Sequence, residues 1–237
     1  MTALLVGRLV ERLVGRGVGV AMAASLASGR AYPSAVTTPH DRIAAAKAEL
    51  RAGFLARRRA RGASDRAAAA AAMTTALLGG LAGARTFAAY VPEEDEPGYG
   101  RLPAAYTQLG ARVLLPAVPT TGSELAWAVD TGRLAPGRFG LLEPVGPRLG
   151  PTAIGTADVV VLPAVAVART GVRLGRGGGY YDRALRHARD DAALVVLAFD
   201  DELVDELPAE AHDRRVSAVV TPSAGWQELG ATGHRPH

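Results

Sequence analysis

From residue 38 onward, apolar residues recur at two spacings, one helical and one strand-like, and the segments alternate. The first, TTPHDRIAAAKAELRAGFLARRRARG, opens with a Pro and an Asp, continues with strong helix formers and stops at Gly62, which predicts a helix. Lys47 and Arg51, four residues apart, share one face of it. A second helix is expected over 64–81 with Ser64 or Asp65 as its cap, the alanine run 67–72 being helix rather than linker. Alternation follows: a strand TFAAYV (86–91), an acidic loop PEEDEPGYG, a helix RLPAAYTQLG, and strands RVLLPAV (112–118) and ELAWAV (124–129). Beyond a Gly/Pro-rich passage to Thr156 come a strand DVVVLPAVAV (158–167), a glycine loop, a helix over 182–190 and a strand ALVVLAFD (193–200). A helix near 201–207 and a strand VSAVVT (216–221) complete the pattern. Strands alternating with helices predict an α/β fold, a largely parallel sheet flanked by helices. Such sheets bind ligands at the carboxyl ends of their strands, where both the acidic loop and the glycine loop fall.

The first 40 residues read differently. Their apolar stretch over 17–27 is too short to span a bilayer, and Arg8, Arg12 and Arg16 interrupt what precedes it. The stretch has the outline of a short secretory signal, but the body argues against export. The expectation is a poorly ordered extension or an over-long start, with Met22 as another possible start. The expected organisation is an extension over 1–40, one catalytic α/β domain over 41–230 and a tail over 231–237.

Composition narrows the chemistry. With 237 residues, 49% hydrophobic and 21% charged, the chain can bury a full single-domain core. The absence of cysteine excludes a disulfide scaffold, a thiolate metal site and a thiol nucleophile. A net charge of +4 would suit nucleic acid, but much of the basicity sits in 42–66 and aromatics are only 5%, too few for stacking platforms. The expectation is a cytoplasmic monomer or weak homo-oligomer with neither a nucleic-acid nor a membrane partner.

Residues 173–182, RLGRGGGYYD, are the most informative run. Gly175, Gly177, Gly178 and Gly179 let consecutive N–H groups converge on phosphate oxygens, and the following helix adds its positive end. Arg173 and Arg176 can fork onto phosphate or carboxylate, and Asp182 offers a hard oxygen of the kind Mg²⁺ takes. The plainer alternative is a glycine-rich connector. Neither a Walker loop nor a dinucleotide fingerprint is present: Lys47, the single lysine, follows alanines, and Tyr180 stands where a third glycine should be. Among so many arginines, the surviving Lys47 reads either as a compact point charge for phosphate or as chance survival on a solvated helix face.

With KAELR (47–51), YVP before the acidic loop, VLLPAV, FGLLEP, VVLPAVAV and RLGRGGGYYDR in that order, the chain resembles the 5-formyltetrahydrofolate cyclo-ligase family, also called 5,10-methenyltetrahydrofolate synthetase, over roughly residues 44–225. The resemblance implies a NagB/RpiA/CoA-transferase-like fold and an ATP- and Mg²⁺-dependent ring closure. In it ATP phosphorylates the formyl oxygen of 5-formyltetrahydrofolate, N10 attacks the activated carbon, and phosphate leaves to give 5,10-methenyltetrahydrofolate. It further implies that Lys47, Ala48, Glu49, Leu50 and Arg51 hold ATP, facing a second wall of Arg173, Leu174, Gly175, Arg176, Gly177, Gly178, Gly179, Tyr180 and Tyr181. Arg51, Val91, Glu96, Arg176, Gly177, Gly178, Gly179 and Tyr180 would touch the folate, and Asp182 would bind Mg²⁺. On this reading Lys47→Ala loses ATP use and leaves the fold intact, as for an exposed lysine.

Family members carry an aspartate four residues after their His-Asp pair; here His212 and Asp213 are followed by Ser217, a poorer Mg²⁺ ligand. That departure keeps open a non-catalytic folate- and nucleotide-binding protein on the same scaffold. His212 itself has no partner at metal spacing and reads as structural, and the lone Trp127 reads as core before it reads as a stacking residue.

Overall fold

The computed structural model describes residues 38–210 and 213–230. The expectations for the leader up to residue 37, for His212 and for the tail from 231 lie outside them. Five parallel strands form the centre of a seven-stranded sheet: β1 (Thr86–Ala88), β2 (Arg112–Ala117), β6 (Val159–Leu162), β9 (Ala193–Leu197) and β11 (Ala218–Thr221). Antiparallel strands β3 (Ala126–Val129) and β12 (Gly225–Glu228) close its edges, in the order β12-β11-β9-β6-β1-β2-β3. The central strands are apolar on both faces because both are covered. Leu114, Val160, Leu162, Leu194 and Val196 point to one core, and Phe87, Val113, Val161, Val195 and Leu197 point to the other. On this second face α2 (Ala63–Gly80) lays down Met73 and Leu77.

A smaller sheet stands apart, with β7 (Ala166–Ala168) paired to β8 (Arg173–Leu174) and to β10 (Leu203–Val204). It is roofed by α1 (Pro39–Ala60), whose Leu50 and Phe54 pack on Val165, Leu174 and Val204. A capping box starts α1: the Thr38 hydroxyl accepts from the Asp41 N–H at 3.1 Å, and Asp41 accepts from the Thr38 N–H at 2.9 Å. The Gly/Pro-rich passage contains an unpredicted hairpin, β4 (Leu134–Pro136) with β5 (Leu142–Pro144).

Four predicted elements are corrected. The strand expected over 158–167 is two, because Pro163 has no N–H for the ladder; the chain leaves the main sheet there, and the Val165 N–H turns to the Leu174 carbonyl at 2.7 Å. The helix expected over 182–190 is α3 (Tyr180–Ala184) with a 3-10 turn to His187, because Arg214 draws the carbonyls of Leu185 and Arg189 outward at 2.7 and 2.6 Å. Near 201–207 there is a 3-10 turn, Asp200–Glu202, and then β10, whose Val204 is buried under α1. RLPAAYTQLG forms only a 3-10 helix, Ala104–Leu109, between Pro103 and a left-handed Gly110.

Candidate active site

At the carboxyl ends of the strands lies a cleft of about 330 Å³. Its floor and one wall come from Tyr90, Val91 and Glu96 after β1, and the facing wall from the loop after β8 with Tyr180, Tyr181 and Asp182. The sequence thus placed most of the predicted residues in one cavity, although they come from segments some eighty residues apart.

The two loops clasp each other. Arg176 Nε donates to Glu96 Oε1 at 3.0 Å, Nη2 to Asp95 at 2.9 Å, and Nη1 pairs with Glu93 at 3.1 Å. Glu96 is 8% exposed and also accepts from the Glu93 N–H at 3.0 Å, which separates it from its solvated neighbours in the acidic run. Burial raises its pKa, opposed by the Arg176 charge and the Glu93 bond. Arg176 would lose its proton more easily through burial, but Glu96, Glu93 and Asp95 outweigh that and hold it charged. Arg173, its side chain 6% exposed, is ion-paired to Asp182 at the mouth. Burial pushes the Tyr181 and Tyr90 phenols up, so both remain neutral donors; Tyr90 donates to the Pro97 carbonyl at 2.9 Å.

Two loop glycines are required by backbone conformation. Gly177 has φ +99°, which L side chains rarely adopt, although an added Cβ would meet Arg51 only in ordinary contact at 3.5 Å. At Gly179 (φ +67°) a Cβ would come within 2.6 Å of Arg183 Nη1.

The 47–51 run divides. Arg51 reaches the glycine loop, its Nε donating to the Gly175 carbonyl at 2.7 Å. Leu50 is core, while Ala48 and Glu49 are exposed. The expectation of an exposed Lys47 is overturned: it is 9% exposed and donates to Glu210 at 3.0 Å and Asp213 at 2.9 Å. Burial would lower its pKa, yet these two carboxylates prevail and raise it. Leu174 likewise faces the core under α1, not the cleft.

Sequence reasoning missed the hairpin as a cleft wall. Phe139 is 70% exposed at φ +59°, and with Leu142 it borders the cleft; the signal was an aromatic between two glycines, GRFG. Glu143, buried below, accepts from the Val118 N–H at 2.9 Å and from Arg148 at 2.7 Å, fixing the hairpin to β2's exit. Trp127 is wholly buried in the core. Ser217 lies at the amino end of β11, where its hydroxyl accepts from the Leu194 N–H at 3.0 Å and donates to the Leu194 carbonyl at 3.1 Å. That is the end of the sheet opposite the cleft.

Fold and cleft together define an α/β protein of the mostly parallel, doubly covered class, with a pocket walled by arginine, glycine and aromatic residues at the carboxyl ends of its strands. A sequence model of the 5-formyltetrahydrofolate cyclo-ligase family matches residues 43–222, and the chain belongs to that family. A 5-formyltetrahydrofolate cyclo-ligase of Mycolicibacterium smegmatis is 42% identical over 184 residues, covering 76% of this chain and 95% of that protein. The Escherichia coli K12 cyclo-ligase is 45% identical over 71 residues, 30% of this chain and 39% of that one. The solution structure of Aquifex aeolicus 5,10-methenyltetrahydrofolate synthetase superposes with a TM-score of 0.63 at 26% identity, covering 81% of this chain and 96% of that one. No helix among the described residues is long and apolar enough to cross a membrane.

Proposed function

We propose that this chain is an ATP-dependent ligase that cyclises 5-formyltetrahydrofolate to 5,10-methenyltetrahydrofolate in the cytoplasm, as a monomer or weak homo-oligomer. The observation that carries the reading is the clasp of Arg176 on buried Glu96 beside the glycine loop, one cleft offering both a carboxylate for ring N–H groups and cations for phosphate. Glu96 accepts from the pterin, Val91 and Tyr180 pack against it, and Arg176 and the amides of 177–179 lie against both substrates. ATP lies between the glycine loop, with Arg173 and Tyr181, and the α1 face bearing Arg51, with Lys47 one turn away.

The formyl oxygen attacks the γ-phosphorus and the bond to the β-bridging oxygen breaks, releasing ADP. N10 then bonds to the activated carbon and gives up its proton to solvent, and the C–O bond breaks to release inorganic phosphate. Such a reaction asks for alignment and charge neutralisation rather than a strong base. The donor set fits Mg²⁺: Asp182 is exposed at the mouth, and among the described residues no group of three or more acidic or histidine side chains could hold a metal, so phosphate oxygens and water would complete its shell. When bound, the ion neutralises charge on the phosphates. With Asp182 holding the ion, Arg173 would be left to pair with phosphate.

The test is steady-state formation of methenyltetrahydrofolate, followed by absorbance, from 5-formyltetrahydrofolate, ATP and Mg²⁺. Growth of the product band that requires all three is expected. ATP binding without turnover would sink the ligase reading in favour of a non-catalytic binder.

A further inference from the structure

Glu96 is placed by a loop, and Tyr90 closes the neck of that loop. Strand pairing runs one residue past β1, the Ala89 N–H donating to the Leu114 carbonyl at 2.9 Å, so Tyr90 leaves the sheet from a fixed point. Tyr90 is 3% exposed and belongs to the same core as Leu102, Tyr106 and Phe199. From there its hydroxyl reaches across the loop to the carbonyl of Pro97, the residue next to Glu96, at 2.9 Å. Pro97 is itself buried, and the chain turns away from it at Gly98, φ +88°, where an added Cβ would come within 2.7 Å of Leu102. The segment 90–97 is thus a closed loop with Glu96 at its anchored end.

The other bonds of this loop among the described residues are of two kinds. Some lie within the turn: the Glu96 N–H donates to the Glu93 carbonyl at 2.8 Å, and the Tyr99 N–H to the Glu96 carbonyl at 3.2 Å. These shape the turn without attaching it to the rest of the protein. The others are ion pairs, of Arg176 with Glu93, Asp95 and Glu96, and of Arg66 with Glu94 at 3.6 Å. The Glu94 side chain is 77% exposed, so its pair holds little. Arg176 lies against both substrates in the function proposed above, and a guanidinium that turns to phosphate gives up carboxylates as it does so. Tyr90 has no second duty: burial keeps its phenol neutral, and its bond lies inside the protein.

Resting on that function, we propose that Tyr90 is a positioning residue for the folate, its bond to the Pro97 carbonyl keeping the Glu96 carboxylate aimed at the pterin while Arg176 engages phosphate. The tie serves the folate rather than ATP, whose phosphates belong with the glycine loop and α1.

The experiment is Tyr90→Phe, which keeps the ring and removes only the hydroxyl. KM for 5-formyltetrahydrofolate should rise about three- to tenfold, the scale of one hydrogen bond, with kcat and KM for ATP unchanged within about twofold. With Glu96→Ala already present, the same substitution should raise the folate KM by less than about twofold, because the carboxylate it aims is gone. KM does not depend on how much of the enzyme is folded, so a less stable Tyr90→Phe still gives the reading. An unchanged folate KM overturns the proposal. So does a loss confined to kcat, the signature of a merely loosened fold, and so does a full rise that persists with Glu96→Ala. Calorimetric Kd values for 5-formyltetrahydrofolate give the same ratios without turnover. A wild type that binds the folate without turning it over removes the ligase reading and leaves the Tyr90 ratio to be read from Kd; one that binds no folate removes both.

Discussion

Acids stand at both ends of the main sheet, and their surroundings are opposite. At the amino ends, Asp158 accepts from the Thr86 N–H at 3.1 Å, the Arg85 N–H at 3.0 Å and Arg189 at 2.9 Å, and those backbone bonds, Thr86 first, hold its pKa below the ordinary aspartate value. At the carboxyl ends, Glu96 and Glu202 are buried, and desolvation raises both against the pull of Arg176 and Arg58. A solvated acid bonded to amides serves as a stopper for strand ends. Each desolvated acid is held by a cation and one backbone N–H, that of Glu93 for Glu96 and that of Phe199 for Glu202. The two carboxyl-end acids then divide, Glu96 bordering the cleft and Glu202 joining Arg58 inside the protein.

The largest effect should come from the buried pair. Arg58 and Glu202 are each 1% exposed and bonded at 2.6 and 2.8 Å, so Arg58→Met leaves a buried carboxylate alone and should lower unfolding stability by about 3–5 kcal/mol in urea titration. Arg189→Met at the other end removes an exposed ion pair and should cost far less. Equal losses would break the comparison. Next, Glu96→Gln should lower kcat/KM roughly 10- to 100-fold, the scale of a charged hydrogen bond to substrate, with no loss of stability at neutral pH.

The pH dependence separates the ends by sign. Because the native Asp158 pKa is lowered, its contribution is present above the ordinary value of 3.8 and is lost as pH falls through the native one. The stability gap to Asp158→Asn, small because the group is solvated, should therefore close in acid. Glu96, raised above its ordinary 4.5, binds protons more readily when folded, so its contribution to stability declines as pH rises from 4.5 through the native pKa. Thermal melts of wild type and Glu96→Gln should converge on the acid side of that window and separate above it, the variant being the more stable. The smallest effect belongs to Ser217→Asp, which should leave the Mg²⁺ dependence of turnover within about twofold, since its hydroxyl serves Leu194 at the amino end. A large gain in Mg²⁺ affinity would restore residue 217 as a ligand position.

The parallel strands and the glycine loop were legible because they rest on local signals, runs of Val and Leu and a cluster of glycines between arginines. What stayed hidden depends on partners distant in sequence. The burial of Lys47 is decided by Glu210 and Asp213, more than 160 residues away. The strand β10 exists because α1 covers Val204, and β12 because Trp226 packs toward Gly80 of α2. Phe139 reads as loop until the hairpin carries it to the cleft.

The break at Pro163 has a mechanical meaning. Just beyond it, β7 and β8 belong to the small sheet, so the glycine loop, β8 and the α1 residue Arg51 are hung together on one body, while Tyr90, Val91 and Glu96 stand on the other. The cleft is a pair of jaws, and Arg58, bonded to the Ala164 carbonyl at 2.6 Å and to Glu202, is the rivet at their joint. Arg176 ties one jaw to the other through Glu93, Asp95 and Glu96, so the clasp spans the two bodies as the rivet does.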